Sequence, residues 1–124
     1  MDGIYFKDES YDIVGICMEV HNNLGSGFSE VVYKDALEYE FRKSNIYFER
    51  EREYKVYYKD IILPHKFYAD FVVYGNIILE VKAVKTISPE HMAQAINYLK
   101  VSLNKLAIIV NFGELQLKHK RVVY

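Results

Sequence analysis

The spacing of apolar positions changes along this chain, and the changes divide it into elements. From Ser10 to Leu24 the residues Ile13, Ile16, Cys17, Val20 and Leu24 recur at helical spacing, and Gly25 follows as a stop. A helix with one apolar stripe is expected there. The break Gly25-Ser26-Gly27 leads to Ser29, a residue type suited to cap a helix start. Val32, Tyr33, Ala36, Leu37 and Phe41 then mark a second amphipathic helix to about Lys43, closed by Asn45. Beyond it the period shortens. Ile46 to Tyr58 is rich in aromatic and β-branched residues, and Lys59-Asp60 offers a turn before Ile61-Ile62-Leu63. Two strands follow at about Phe67–Val73 and Ile77–Val84, separated by Tyr74-Gly75-Asn76. Ser88-Pro89 sets a helix start, with Met92, Ala95, Ile96 and Leu99 as its stripe. Leu106 to Asn111 reads as a strand buried on both faces, and Leu115 to Val123 as a further edge strand. The order ααβββ(β)αβ(β) predicts an α/β fold, a mixed sheet with helices packed on it.

No repeat, low-complexity tract or Pro/Gly/Ser-rich linker interrupts the sequence, so residues 1–124 are expected to form a single domain. With 51% apolar and 27% charged residues the chain as a whole is not of disordered composition. The lone Cys17 has no partner for an intramolecular disulfide. Met1, Asp2 and Gly3 lack the basic start of a signal peptide, and no apolar run approaches the roughly 20 residues of a spanning helix. The expectation is a soluble cytoplasmic protein with no membrane partner.

A formal net charge of −1 argues against a uniformly basic nucleic-acid coat. Its distribution argues differently. Cutting between Ile62 and Leu63 leaves 8 basic and 13 acidic residues before the cut, and 8 basic and 4 acidic after it. The C-terminal half is therefore the one suited to a polyanion, unless the two charged faces simply neutralise each other in the fold.

The sharpest chemistry lies in the two central strands, which read Tyr68-Ala69-Asp70-Phe71 and Leu79-Glu80-Val81-Lys82. Alternation puts Ile78, Glu80 and Lys82 on one face and Leu79 and Val81 on the other. If a three-residue loop centred on Gly75 joins the strands, Asp70 falls opposite Glu80 on that same face, with Cβ atoms about 5 Å apart. A two-residue loop would turn Asp70 away. Two carboxylates so close repel and need a cation to stay ionised. Hard oxygen ligands of this kind suit Mg2+ or Mn2+, and Lys82 beside them can position water or stabilise charge on a phosphoryl oxygen. Together they describe metal-assisted hydrolysis of a phosphodiester. The plainer reading is a cross-strand salt-bridge cluster with Lys82 reaching to solvent.

Gln94 shares a helix face with His91 and Tyr98 and can orient water or a phosphate; otherwise it is a solvated helix residue. Glu30 lies in the first turn of the second helix, where a carboxylate also favours the dipole. His21 is either a ligand or a helix-end residue. Most of the twelve tyrosines serve core and sheet surface, though some can stack on bases. Lys85, Lys100, Lys105 and the run Lys118-His119-Lys120-Arg121 are candidate phosphate contacts.

Gly27-Phe28-Ser29-Glu30-Val31-Val32-Tyr33 reads G-x-x-E-x-x-Y. With it go Glu19-Val20-His21, Tyr68-Ala69-Asp70, Leu79-Glu80-Val81-Lys82-Ala83-Val84, His91-Met92-Ala93-Gln94, Tyr98-Leu99-Lys100 and Val110-Asn111-Phe112-Gly113. In that order they resemble the small prokaryotic GxxExxY proteins, a branch of the PD-(D/E)XK nuclease superfamily, over nearly the whole chain. The resemblance implies a restriction-endonuclease-like α/β core and a Mg2+ or Mn2+ site for hydrolysis of nucleic acid, DNA above RNA. Asp70 matches the first acidic residue, although Ala69 stands where the family has Pro. Glu80 and Lys82 match the (D/E)-x-K element, Glu30 the helix carboxylate that completes the metal set, and Gln94 the polar helix residue. His21, Tyr33 and Tyr98 are accessory candidates. A catalytically inactive module that binds nucleic acid or protein is the alternative. In either case two copies pairing as a homodimer would enlarge the surface that grips a substrate.

Overall fold

The structure, a computed structural model, describes residues 6–124; the reading of Met1, Asp2 and Gly3 lies outside them. Helices α1 (Lys7–Leu24) and α2 (Glu30–Lys43) come first. They are followed by β1 (Phe48–Tyr54), a small hairpin of β2 (Tyr57–Tyr58) and β3 (Ile61–Ile62), then β4 (Phe67–Val73) and β5 (Ile77–Lys82). Helix α3 (Pro89–Ser102), β6 (Leu106–Asn111) and β7 (Lys118–Val123) complete the chain.

Five strands form one sheet in the order β1-β4-β5-β6-β7. β5 and β6 run parallel and every other neighbouring pair is antiparallel. A parallel pair needs a crossover, which α3 supplies. The sheet is covered on both faces. Ile13, Cys17, Val20, Tyr33, Leu37 and Phe41 of α1 and α2 pack on Phe71, Leu79, Val81, Ile108 and Val110, while Ala95 and Leu99 of α3 pack on Val72, Ile78, Ala107 and Ile109. This explains the uninterrupted apolar run of β6, which is buried along its whole length. Cys17 is sealed in the first of these layers, and burial pushes its thiol up to about 12.

Three boundaries differ from the sequence reading. The segment Ile46–Tyr58 is not one strand: β1 ends at Tyr54, whose partner Phe67 is the first residue of β4, so no neighbour remains beyond it. Tyr57 and Tyr58 pair instead with Ile62 and Ile61. β5 stops at Lys82 rather than Val84, because the Ala83 N–H donates to the Glu30 carboxylate and the Val84 N–H to Asn111 Oδ1. The edge strand starts at Lys118, opposite Asn111, the last residue of β6. At α3, Ser88 Oγ accepts from the His91 N–H and His91 Nδ1 accepts from the Ser88 N–H, a reciprocal cap with histidine in the place of the usual Glu or Gln.

Because β4 and β7 run against β5 and β6, the end of the sheet holding Lys82 also holds Tyr54, Phe67, Asn111, Lys118 and the start of α3. Among the described residues no helix is long and apolar enough to cross a membrane.

Candidate active site

The loop between β4 and β5 has three residues, Tyr74, Gly75 and Asn76, with Tyr74 (φ 58) and Gly75 (φ 79) both in the left-handed region. It fixes the register Val73↔Ile77, Val72↔Ile78 and Phe71↔Leu79, and the next residues in line are Asp70 and Glu80. There the backbone ladder gives way to side chains. The Asp70 N–H donates to Glu80 Oε2 at 3.0 Å, and the Val81 N–H donates to Asp70 Oδ2 at 2.8 Å. Each carboxylate thus caps a backbone donor of the opposite strand.

On its other side β4 is distorted at the same level. The β1 register runs from Phe48↔Val73 to Tyr54↔Phe67 and skips only Glu51, which stands opposite Asp70 with a φ of 55. A left-handed conformation costs a non-glycine residue of order 1 kcal/mol. It lets Glu51 turn its carboxylate to Lys34 of α2, and the Lys34 ammonium also lies 3.0 Å from Asp70 Oδ1. Strict alternation had placed Asp70 wholly on the face of Glu80. Instead, Ala69 and Val72 both pack toward α3, so alternation breaks between them, and Asp70 reaches the α2 side of the sheet.

Glu80 is buried, and its carboxyl is pushed up to about 8, first by burial and then by the charge of Asp70; the Asp70 N–H, Lys82 and Lys34 act in the opposite sense. Burial also works against the charge of Lys34, but its hydrogen bonds to Glu51 and Asp70 outweigh this and hold the ammonium above its ordinary value. Tyr98, on the facing side of α3, is pushed up to about 12 by burial and by the charges of Glu80 and Asp70. Lys82 Nζ is 3.4 Å from Gln94 Oε1. Glu30 accepts from the Ala83 N–H at 3.2 Å.

The structure therefore brings Asp70, Glu80, Lys82, Gln94 and Tyr98 together, with Glu30 holding the chain just past Lys82. It does not gather three ligands: among the described residues no group of three or more His, Cys, Asp or Glu side chains is disposed to hold a metal ion. His21 and Tyr33 have structural positions. His21 Nε2 lies 2.9 Å from the Glu114 carbonyl oxygen. The Tyr33 hydroxyl donates to the Gly25 carbonyl at 2.6 Å and accepts from the Phe28 N–H at 3.2 Å, while its ring stacks on Phe112 with centroids 4.4 Å apart. The tyrosine of G-x-x-E-x-x-Y thus pins the turn from which Glu30 starts α2.

The basic candidates do not form one patch. Val122 packs toward α3 and Val123 toward α1 and α2, so alternation sends Lys118 and Lys120 to the α3 side and His119 and Arg121 to the α1 side. Arg121 lines a cavity with Lys7, Ser10 and Tyr11. Lys100 lies on α3 about 9 Å past Gln94, away from the carboxylates, with its ammonium 5.5 Å from the Tyr124 ring centroid. Lys105 precedes β6 at that same far end. Lys85, exposed in the loop after β5, keeps a place at the carboxylate end.

The sequence gives no distinct role to Lys34 and Glu51, and Asn111 enters it only within the motif Val110-Asn111-Phe112-Gly113. Lys34 stands four residues after Glu30 and so shares its helix face. Asn111 is a polar residue ending an apolar strand. Fully buried, its amide donates to the Val84 carbonyl and to Glu114, and its oxygen accepts from the N–H groups of Val84 and Gly113.

A search of curated proteins finds no match. Among solved structures, one described as the crystal structure of SSO0001 superposes with a TM-score of 0.63 at 16% identity, covering 95% of this chain and 60% of that one. The likeness is one of fold, and this chain spans less than two thirds of that protein. The PD-(D/E)XK nuclease superfamily matches over residues 7–122, and the chain belongs to it.

Proposed function

We propose that this protein is a divalent-metal-dependent nuclease of the GxxExxY branch that hydrolyses phosphodiester bonds, in DNA in preference to RNA. The observation that carries this reading is the meeting of the Asp70 and Glu80 carboxylates where the β4–β5 ladder gives out, with Lys82 two residues on. The donor set suits Mg2+ or Mn2+, which bind through one or two carboxylates and keep several waters. Burial and mutual repulsion disfavour both carboxylates being ionised unless a cation joins them. Asp70 and Glu80 would hold the ion directly, and Glu30 supports the chain beside them. When bound, such an ion neutralises phosphate charge and activates water. Lys82, steadied by Gln94, positions the attacking water and stabilises charge on the phosphoryl oxygens. The water oxygen bonds to phosphorus and gives up a proton to solvent, the bridging P–O bond breaks, and the leaving oxygen takes a proton from solvent.

Calorimetric titration with Mn2+ tests the ligands, with binding expected in the wild type and lost in Asp70→Asn and Glu80→Gln. Cleavage of DNA and RNA substrates tests the chemistry: Lys82→Met should bind the ion and fail to cut. Metal-dependent cleavage that persists in both Glu80→Gln and Lys82→Met sinks the assignment.

One observation favours a second reading, a module that binds nucleic acid or protein without cutting. The Lys34 ammonium already sits on Asp70 and neutralises part of the site from within. No Mn2+ bound at millimolar concentration and no cleavage of any polynucleotide would establish it.

A further inference from the structure

The β2–β3 hairpin is apolar on both faces and covered on neither. Tyr57 pairs with Ile62 and Tyr58 with Ile61, so each face of the ribbon carries one tyrosine and one isoleucine. All four are open to solvent, at 68%, 48%, 55% and 53% exposure respectively. A hairpin whose strands have two residues each is not stable by itself in water. This one is anchored at its base, where the Leu63 N–H donates to the Val56 carbonyl at 2.9 Å. Below that, Tyr54 stacks on Phe67 and Phe67 on Tyr98 of α3, with centroids 5.1 and 4.2 Å apart. The core thus supports the ribbon from beneath and leaves its rings in water.

Two further observations say what covers them. Residues 55–66 hold Lys55, Lys59, His65 and Lys66 against Asp60 alone, and Lys59 Nζ lies 5.4 Å from the Tyr58 ring centroid. The ribbon also leaves the sheet at the end that holds Asp70. Phe67, its exit, is three residues from Asp70 along β4, about 10 Å. Flat aromatic rings interleaved with lysines are how proteins hold unpaired bases, since every base offers a face for stacking and its phosphate a charge. Bases inside a duplex are already stacked.

We propose that the β2–β3 hairpin is a base-stacking element that engages an unpaired segment of nucleic acid next to the bond presented to Asp70 and Glu80, so that the preferred substrate carries single-stranded character beside the cut. This rests on the nuclease reading for the position of the cut, but its test does not depend on cleavage. A second copy is disfavoured as the occupant because strands of two residues offer few backbone groups for edge pairing.

Fluorescence anisotropy with labelled DNA in EDTA measures binding alone, using a blunt duplex, the same duplex with a single-stranded tail, and the tail strand by itself. The wild type should bind the two unpaired substrates more tightly than the blunt duplex. Tyr57→Ala and Tyr58→Ala should each weaken that binding about tenfold and leave the blunt duplex unaffected. The positions are exposed, so the melting temperature should stay within about 2 °C of wild type, and Tyr58→Phe, which keeps the ring, should restore affinity. Equal affinity for all three substrates, unchanged by these variants, overturns the proposal and leaves the nuclease reading intact, since Asp70→Asn and Glu80→Gln test that reading by metal binding and cleavage. Loss of a dimer in light scattering, or of binding to anionic lipid vesicles, with DNA affinity unchanged would assign the hairpin to a second copy or a membrane and also overturn it.

Discussion

The Lys34 ammonium lies 3.0 Å from Asp70 Oδ1, with 14% and 18% of the two side chains exposed. Helix α2 thus brings a cation to Asp70 as well as the Glu30 anion to the Ala83 N–H, and that cation occupies a carboxylate oxygen that the metal ion of the proposed mechanism would use. Replacement by Lys34→Met leaves Asp70, Glu51 and Glu80 without their shared counter-charge. The metal-free variant should lose about 2 kcal/mol of stability. Mn2+ should raise its melting temperature by more than it raises that of the wild type. Scanning fluorimetry with and without Mn2+ decides, and equal shifts in both proteins contradict competition between ammonium and metal.

Glu80 should make the metal-free protein sensitive to alkali. Its folded carboxyl is pushed from an ordinary 4.5 to about 8. A group that holds its proton more tightly when folded stabilises the fold fully below its unfolded value, and that contribution is lost as pH rises through the folded value. Between about pH 5 and about pH 9 the wild type should therefore lose a few kcal/mol more stability than Glu80→Gln, which stays neutral throughout. Urea melts at the two pH values measure the difference, and parallel losses refute it. Mn2+ binding near pH 7 should release a proton, seen as a dependence of the calorimetric heat on the buffer's ionisation enthalpy.

The sequence makes the pairing of Asp70 with Glu80 conditional on the length of the loop at Gly75, and the structure meets the condition with a three-residue loop. A three-residue loop around Gly75 leaves only one register, and the register sets which residues stand opposite. The partners of Asp70 across the layers were not legible. Glu51 sits in the run Glu49-Arg50-Glu51-Arg52-Glu53, where strict alternation of charge gives no residue a distinct role. Its left-handed backbone and its contact with Lys34 of α2 belong to the folded arrangement, and nothing in the local sequence marks either. Likewise Tyr57 and Tyr58 looked like the continuation of β1, since β-branched and aromatic composition is the same for a sheet strand and a free hairpin. What separates them is where β4 begins.

Asn111 and Gly113 should hold the exit of β5 in place. The Asn111 side chain fills its hydrogen-bonding capacity on Val84, Gly113 and Glu114. Asn111→Leu keeps the volume but strands these groups, and should cost about 4 kcal/mol, a large share of a small domain's stability. A Cβ on Gly113 would meet the Ala83 carbonyl carbon at 2.8 Å and crowd the Val84 backbone. Gly113→Ala should therefore lower the melting temperature and displace Lys82, with cleavage falling further than Mn2+ affinity. A Gly113→Ala protein of wild-type stability would show that the segment after Lys82 yields freely.

Tyr33→Phe separates a structural tyrosine from a catalytic one. The ring keeps its stack on Phe112, but the Gly25 carbonyl and the Phe28 N–H lose their shared partner. Stability should fall by about 2 kcal/mol, with Mn2+ affinity within about twofold of wild type. Loss of Mn2+ binding would place the hydroxyl at the metal instead.

The two carboxylates that face each other across β4 and β5 are also stitches. Each holds a backbone donor that the ladder has released, so the outer pair β1–β4 is fastened to the rest of the sheet partly through the groups assigned to chemistry. A chain of this fold that cut nothing would still be under pressure to keep acceptors at both positions. In this chain Asp70 and Glu80 serve first the integrity of the seam, whereas the Lys82 side chain reaches Gln94 of α3 and joins no strand to another, so of the three it is the residue whose place the proposed reaction best accounts for.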